Sequence, residues 1–169
     1  MLQIMKKQFL YIIVLFAFVS CQEDVKFNNP SFQGQKDNVF WRAVDSKATL
    51  VGGILTIEGY TRNDKLTLKI PSPTTLVSPG DKNSYVTYFL GTSTTKTATY
   101  VLTDATSSMI TFSTGLGIGD GQIVITGYDG VNKIVSGTFK FNAKNVNNNP
   151  LAGPTLNFQY GNFYIPVSN

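Results

Sequence analysis

The sequence of 169 residues contains no histidine and a single cysteine, Cys21. Without histidine, Ser-His-Asp and Cys-His catalysis and the usual zinc sites are excluded. Calcium at Asp120 or Asp129 is a weaker reading, since no D-x-D-x-D-G loop exists. The glycine loop GLGIGDG (115–121) lacks the Lys-Ser/Thr ending of a phosphate loop and precedes no helix. No metal and no cofactor is implied. Charge is scarce: 14 basic and 10 acidic side chains, with no Lys/Arg cluster that could track phosphates, so nucleic acid is not an expected partner. No apolar run reaches the roughly 20 residues of a membrane-spanning helix.

What is present begins with a leader. Lys6 and Lys7 form a positive region, and eleven apolar residues, Phe9 to Val19, come next. This is the pattern of a secretory signal peptide. It ends in Phe18-Val19-Ser20-Cys21, which resembles the lipobox of a bacterial lipoprotein, with Phe18 where Leu is usual. The reading is a signal peptide over 1–20, removed so that Cys21 becomes an acylated first residue and a membrane anchor. With Lys6 and Lys7 gone, twelve basic face ten acidic side chains, a net charge of +2. Gln22-Glu23-Asp24 looks like the acidic export signal of Bacteroidota surface lipoproteins. The expected location is the outer membrane, on the cell surface in preference to the periplasmic face. Residues 21–38 are polar and aperiodic and read as the lipidated cysteine plus a flexible tether, with Phe27 and Phe32 able to dock on the domain beyond it.

Residues 39–169 read as one all-β domain. No segment sustains a helical period; short β-branched and aromatic runs alternate with Gly, Asn, Asp and Pro. Val39–Val44 opens the domain and Gly52-Gly53 breaks the chain. ILTIEGYT (54–61) and KLTLKI (65–70) make a hairpin across Asn63-Asp64. SYVTYFL (84–90) and TATYVLT (97–103) read as a second hairpin, and Met109–Ser113 as a weaker strand. GQIVITGYD (121–129) and KIVSGTFKF (133–141) form a third hairpin around Asp129-Gly130-Val131-Asn132. TLNFQYGNFYIPV (155–167) closes the domain. The sum is an antiparallel meander of eight or nine strands, folded as a β-sandwich or a flattened lipocalin-like barrel. Phe139 and Phe141 share the core face. Gly127, Gly137 and Gly161, inside strand runs, imply bulges or close approach of an aromatic ring.

Three stretches, GGILTIEGYTRNDKLTLKIP (52–71), GQIVITGYDGVNKIVSGTFKFNA (121–143) and the closing strand, together resemble DUF6252, a family of uncharacterised lipoproteins of Bacteroidota and flavobacteria. The shared pattern falls on Gly121, Asp129, Asn132, Gly137, Thr138, Phe139, Phe141, Gly161 and Phe163. Where the family's closing strand is expected to read Thr-Asn-Gly, this chain has Gln159-Tyr160-Gly161. The resemblance implies no activity and no catalytic residue.

Two function classes stay open. One is a non-enzymatic envelope lipoprotein acting as a binding or accessory module, its partner a glycan, a small apolar ligand or an envelope protein. The aromatics supply its candidate ligand-binding residues: Trp41, Tyr60, Tyr88, Tyr100 and Tyr128, which could stack on sugar rings or apolar groups. The other is a glycan-acting hydrolase using Glu58, the single glutamate of the domain, with a nearby carboxylate. A closed barrel with an empty apolar cavity would favour carriage of a small ligand; a filled core with an aromatic strip outside would favour surface recognition.

Overall fold

The computed structural model describes residues 31–103 and 109–168. The leader, Cys21, Glu23, Asp24 and Phe27 lie outside the described residues. Eleven strands run in chain order: β1 (Ser31–Lys36), β2 (Val39–Arg42), β3 (Asp45–Val51), β4 (Ile54–Tyr60), β5 (Asp64–Pro71), β6 (Val86–Leu90), β7 (Thr97–Thr103), β8 (Met109–Ser113), β9 (Asp120–Asp129), β10 (Ile134–Asn145) and β11 (Thr155–Ser168). Among the described residues there is no α-helix; a single 3-10 turn, Lys82–Ser84, is capped by the Asp81 carboxylate accepting from the Asn83 N–H at 3.0 Å.

The alternation legible in the sequence sets the inward faces. Leu55 and Ile57 of β4, Leu66, Leu68 and Ile70 of β5, and Val135, Phe139, Phe141 and Ala143 of β10 are all buried, with more exposed residues between them. The strands join one hydrogen-bonded sheet, ordered β2-β1-β11-β3-β4-β5-β7-β8-β10-β9-β6, in which β11 also pairs with β10. The two longest strands make this possible, since each serves three neighbours. β11 pairs with β10 and β1 over most of its length, then with β3 at Val167 and Ser168. β10 pairs with β11 and with β9, then with β8 at Lys144 and Asn145. The pairings β11-β3-β4-β5-β7-β8-β10-β11 close a ring of seven strands. From it β1-β2 extends on one side and β9-β6 on the other.

The interior is filled by rings. Phe32, Trp41, Tyr100, Phe139, Phe141, Phe158 and Phe163 contact one another with centroids 5.3–6.4 Å apart, several edge to face. Glycines admit them. An added Cβ at Gly161 would meet the Phe139 ring, at Gly59 the Phe32 ring, and at Gly137 both the Phe163 ring and the Val124 carbonyl.

Four expectations are corrected. The strands number eleven rather than eight or nine, and β3 runs parallel to β11 in an otherwise antiparallel sheet. The tether does not extend to residue 38: β1 is paired on both sides, and Phe32 is 1 % exposed within the core. Gly52-Gly53 is not a break but the turn of a β3–β4 hairpin, both glycines at positive φ (57° and 76°) as primed hairpin turns require. β3 hides because Ala48 is its one buried residue, so no apolar alternation marks it. Finally, β6 and β7 do not pair. β6 pairs with β9, and β7 lies between β5 and β8. Gly91, at φ 84° and packed against the Gly119 carbonyl, turns the chain away from β6.

Candidate recognition surface

The strands β2, β1, β11, β10, β9 and β6 pair in succession, with one face on the core and the other open. Two concavities lie on this side. The larger, about 710 Å³, is lined by Ser31, Ser136, Ile134 and Tyr164 from the strands and by Leu76, Val77 and Pro79 from the loop after β5. That loop is fixed in place: Val77 and Tyr128 exchange backbone hydrogen bonds of 2.9 and 3.1 Å, and Pro79 fills the space beside Gly127. Asp129 and Asn132 supply polar groups at one end of the groove. The Asp129 carboxylate accepts from the Asn132 and Val131 N–H groups and from the Asn132 amide, and these bonds hold its pKa below the usual range.

The second concavity, about 640 Å³, is a shallow basin bounded by Gln122, Thr138, Lys140, Gln159, Tyr160 and Asn162. Tyr160 stands in it 79 % exposed with φ at 52°, a left-handed conformation that bulky residues avoid. The cause is a bulge. Phe139 pairs with Gly161 but Phe141 with Phe158, so β11 carries an extra residue here and both Gln159 and Tyr160 face outward. Beside the basin a side-chain chain crosses three strands: the Asn157 amide donates to Asn142 at 2.6 Å, and Asn142 to Asp120 at 2.7 Å.

Of the five aromatic candidates, Tyr128 lines the groove, its hydroxyl accepting from Ser72 at 3.2 Å. Tyr88 is half-buried on β6; burial, and secondarily Tyr128, raises its pKa. Tyr60 borders a separate depression of about 510 Å³ formed with Thr61–Lys65. Trp41 and Tyr100 are core side chains, 5 % and 0 % exposed, and reach no open surface. The Trp41 Nε1 has no hydrogen-bond partner among the described residues. Burial pushes the Tyr100 phenol up, and the Asp64 carboxylate adds to this although the two groups are not in hydrogen-bonding geometry.

Glu58 is held as an anion. Lys65 contacts its Oε1, Lys47 lies 3.2 Å from Oε2, and the Tyr60 hydroxyl donates to Oε2 at 2.8 Å. Burial alone would raise its pKa, but the bonds from Lys65, Tyr60 and Lys47 together outweigh it and the net shift is downward. A general acid needs the opposite shift. No cluster of three or more His, Cys, Asp or Glu side chains occurs among the described residues.

Tyr160 is not among the five aromatic candidates, yet its place in the sequence carries a signal. Buried positions in β11 are even before the bulge (Leu156, Phe158) and odd after it (Gly161, Phe163, Ile165, Val167). A parity switch inside one strand marks an inserted residue.

A family model, a domain of unknown function designated DUF6252, matches residues 28–166. No curated protein and no solved structure matches the chain.

Proposed function

The chain belongs to the DUF6252 family, and from that premise we propose that it is a non-enzymatic cell-envelope lipoprotein whose β domain recognises a partner on its outer surface. The observation that carries this reading is the contrast between inside and outside. The interior is packed with phenyl, indole and phenol rings, while the concavities border the open face of β11, β10 and β9 and combine aromatic, amide and hydroxyl groups. A domain built in this way, a flattened barrel whose ring of seven strands encloses side chains, recognises at its surface and does not carry a ligand within.

The leader supplies the rest of the proposal. Acylation of Cys21 fixes the domain to the outer membrane, and the acidic pair Glu23-Asp24 directs it to the cell surface.

The test is metabolic labelling with a palmitate analogue, followed by protease treatment of intact cells. Wild type is expected to take the label and be shaved from the surface, and Cys21→Ala to take none. An unlabelled wild-type protein would overturn the lipoprotein reading; a labelled but protease-resistant one would move the domain to the periplasmic face.

A further inference from the structure

The bulge at Tyr160 lies at the middle of a row that crosses all six strands of the open face. Phe40 of β2 pairs with Gln35 of β1, and Gln35 with Gln159 of β11. Tyr160 is next, as the extra residue. Lys140 of β10 stands opposite the bulge and pairs with Gln122 of β9, which pairs with Phe89 of β6. The row therefore has an exposed aromatic ring at each edge and one near its centre: Phe40 at 66 %, Tyr160 at 79 % and Phe89 at 59 % exposure. Between them lie Gln35, Gln159, Lys140 and Gln122. These four side chains have no hydrogen-bond or ion-pair partner among the described residues, in contrast to the neighbouring Asn157–Asn142–Asp120 chain.

From this we infer that the row is a binding platform for an extended polysaccharide, neutral or sparsely anionic. Sugar rings present flat C–H faces that stack on aromatic rings, and hydroxyls that amide side chains bind as donor and acceptor at once. The row offers both in alternation. It holds no carboxylate, and its one charged group, Lys140, is too little for a nucleic acid backbone. A protein partner would need a contiguous apolar centre, and here amides separate the rings. Five interstrand steps make the row about 24 Å long, more than a single sugar can span, so the ligand is a chain lying across the strands. The strained backbone of Tyr160 fits this role, since the bulge turns toward solvent a ring that regular alternation would bury or remove.

The inference rests on the surface-recognition reading and is tested apart from the anchor. The full chain, purified in detergent, is run in native gels cast with hydroxyethyl cellulose, laminarin, amylopectin or galactomannan. Retardation is expected in at least one gel. Tyr160→Gly, which suits the left-handed backbone and so keeps the fold, is expected to weaken that retardation about tenfold. Phe40→Ala and Phe89→Ala are each expected to weaken it several-fold. Retardation in none of the four gels overturns the proposal, as does retardation unchanged in Tyr160→Gly. A loss confined to Tyr160→Gly overturns the extended-chain part. Labelling of Cys21 is independent of all these outcomes.

Discussion

Single residues decide where rings sit in this protein, and glycine and tyrosine do so in opposite ways. At Gly161 and Gly59 a hydrogen in place of a side chain lets Phe139 and Phe32 lie against the backbone. Gly161→Val forces Phe139 out of its place and is expected to destabilise by about 1–3 kcal/mol, as overpacking does; a lowered midpoint in thermal unfolding checks it. At Tyr160 the backbone already has the geometry glycine prefers, φ 52°, yet carries a large side chain. Tyr160→Gly is therefore expected to leave stability unchanged or raise it by up to about 1 kcal/mol, since relief of strain offsets the entropy of an added glycine. Urea titration of both variants beside wild type gives the comparison. Glu58 shows a third use of a residue. Its folded pKa lies below that of an ordinary glutamate, so its ion pairs stabilise fully above the ordinary value and the contribution is lost as pH falls through the folded pKa. The stability gap between wild type and Glu58→Gln is expected to be small at pH 7, no more than about 1 kcal/mol for such a partly exposed cluster. It should close as the pH falls below the ordinary glutamate value and through the lowered folded pKa. A gap that widened with acid would contradict the assignment of Glu58 as the stabilising anion.

At the scale of elements, the sequence showed strands wherever one face is apolar and concealed them wherever it is not. The β4–β5 and β9–β10 hairpins are legible because Leu, Ile, Val and Phe alternate on both sides of Asn-Asp or Asp-Gly turns. β3 is not, having one buried alanine, and β1 is not, because Gly34 and Phe32 are its only buried residues amid polar ones. Pairing between distant segments is less legible still. Nothing local in SYVTYFL indicates that it pairs with β9 in preference to the strand that comes after it. The candidate surface divides in the same way. Tyr128 could be placed near a concavity, but Trp41 and Tyr100 resembled surface aromatics until their strand faces were known. Phe32 provides the element-scale prediction. It packs edge-on against Trp41, Phe139 and Phe163, and so joins β1 to three other strands. Phe32→Ala is expected to cost about 3–5 kcal/mol. A chain beginning at Val39 should lack the sharp near-ultraviolet circular dichroism of a packed aromatic core.

On the scale of the whole molecule, the pairing of the first described strand with the last one has a consequence in time. β1 can find its place only beside β11, and the register joins Ser31 to Tyr164 and Lys36 to Phe158. The ring also closes through β11, at Val167 and Ser168 against β3. Contacts separated by more than a hundred residues form late and slowly, because the loop between them must close before they contribute. Refolding from denaturant is accordingly expected on a scale of milliseconds to seconds, and removal of residues 155–169 should abolish it, which stopped-flow tryptophan fluorescence of Trp41 would track. A chain exported from its N-terminus, as the leader proposes, would present every other strand beyond the membrane before the one that completes the fold. It would cross as an unfolded thread, and the domain would assemble when the final fourteen-residue strand arrived.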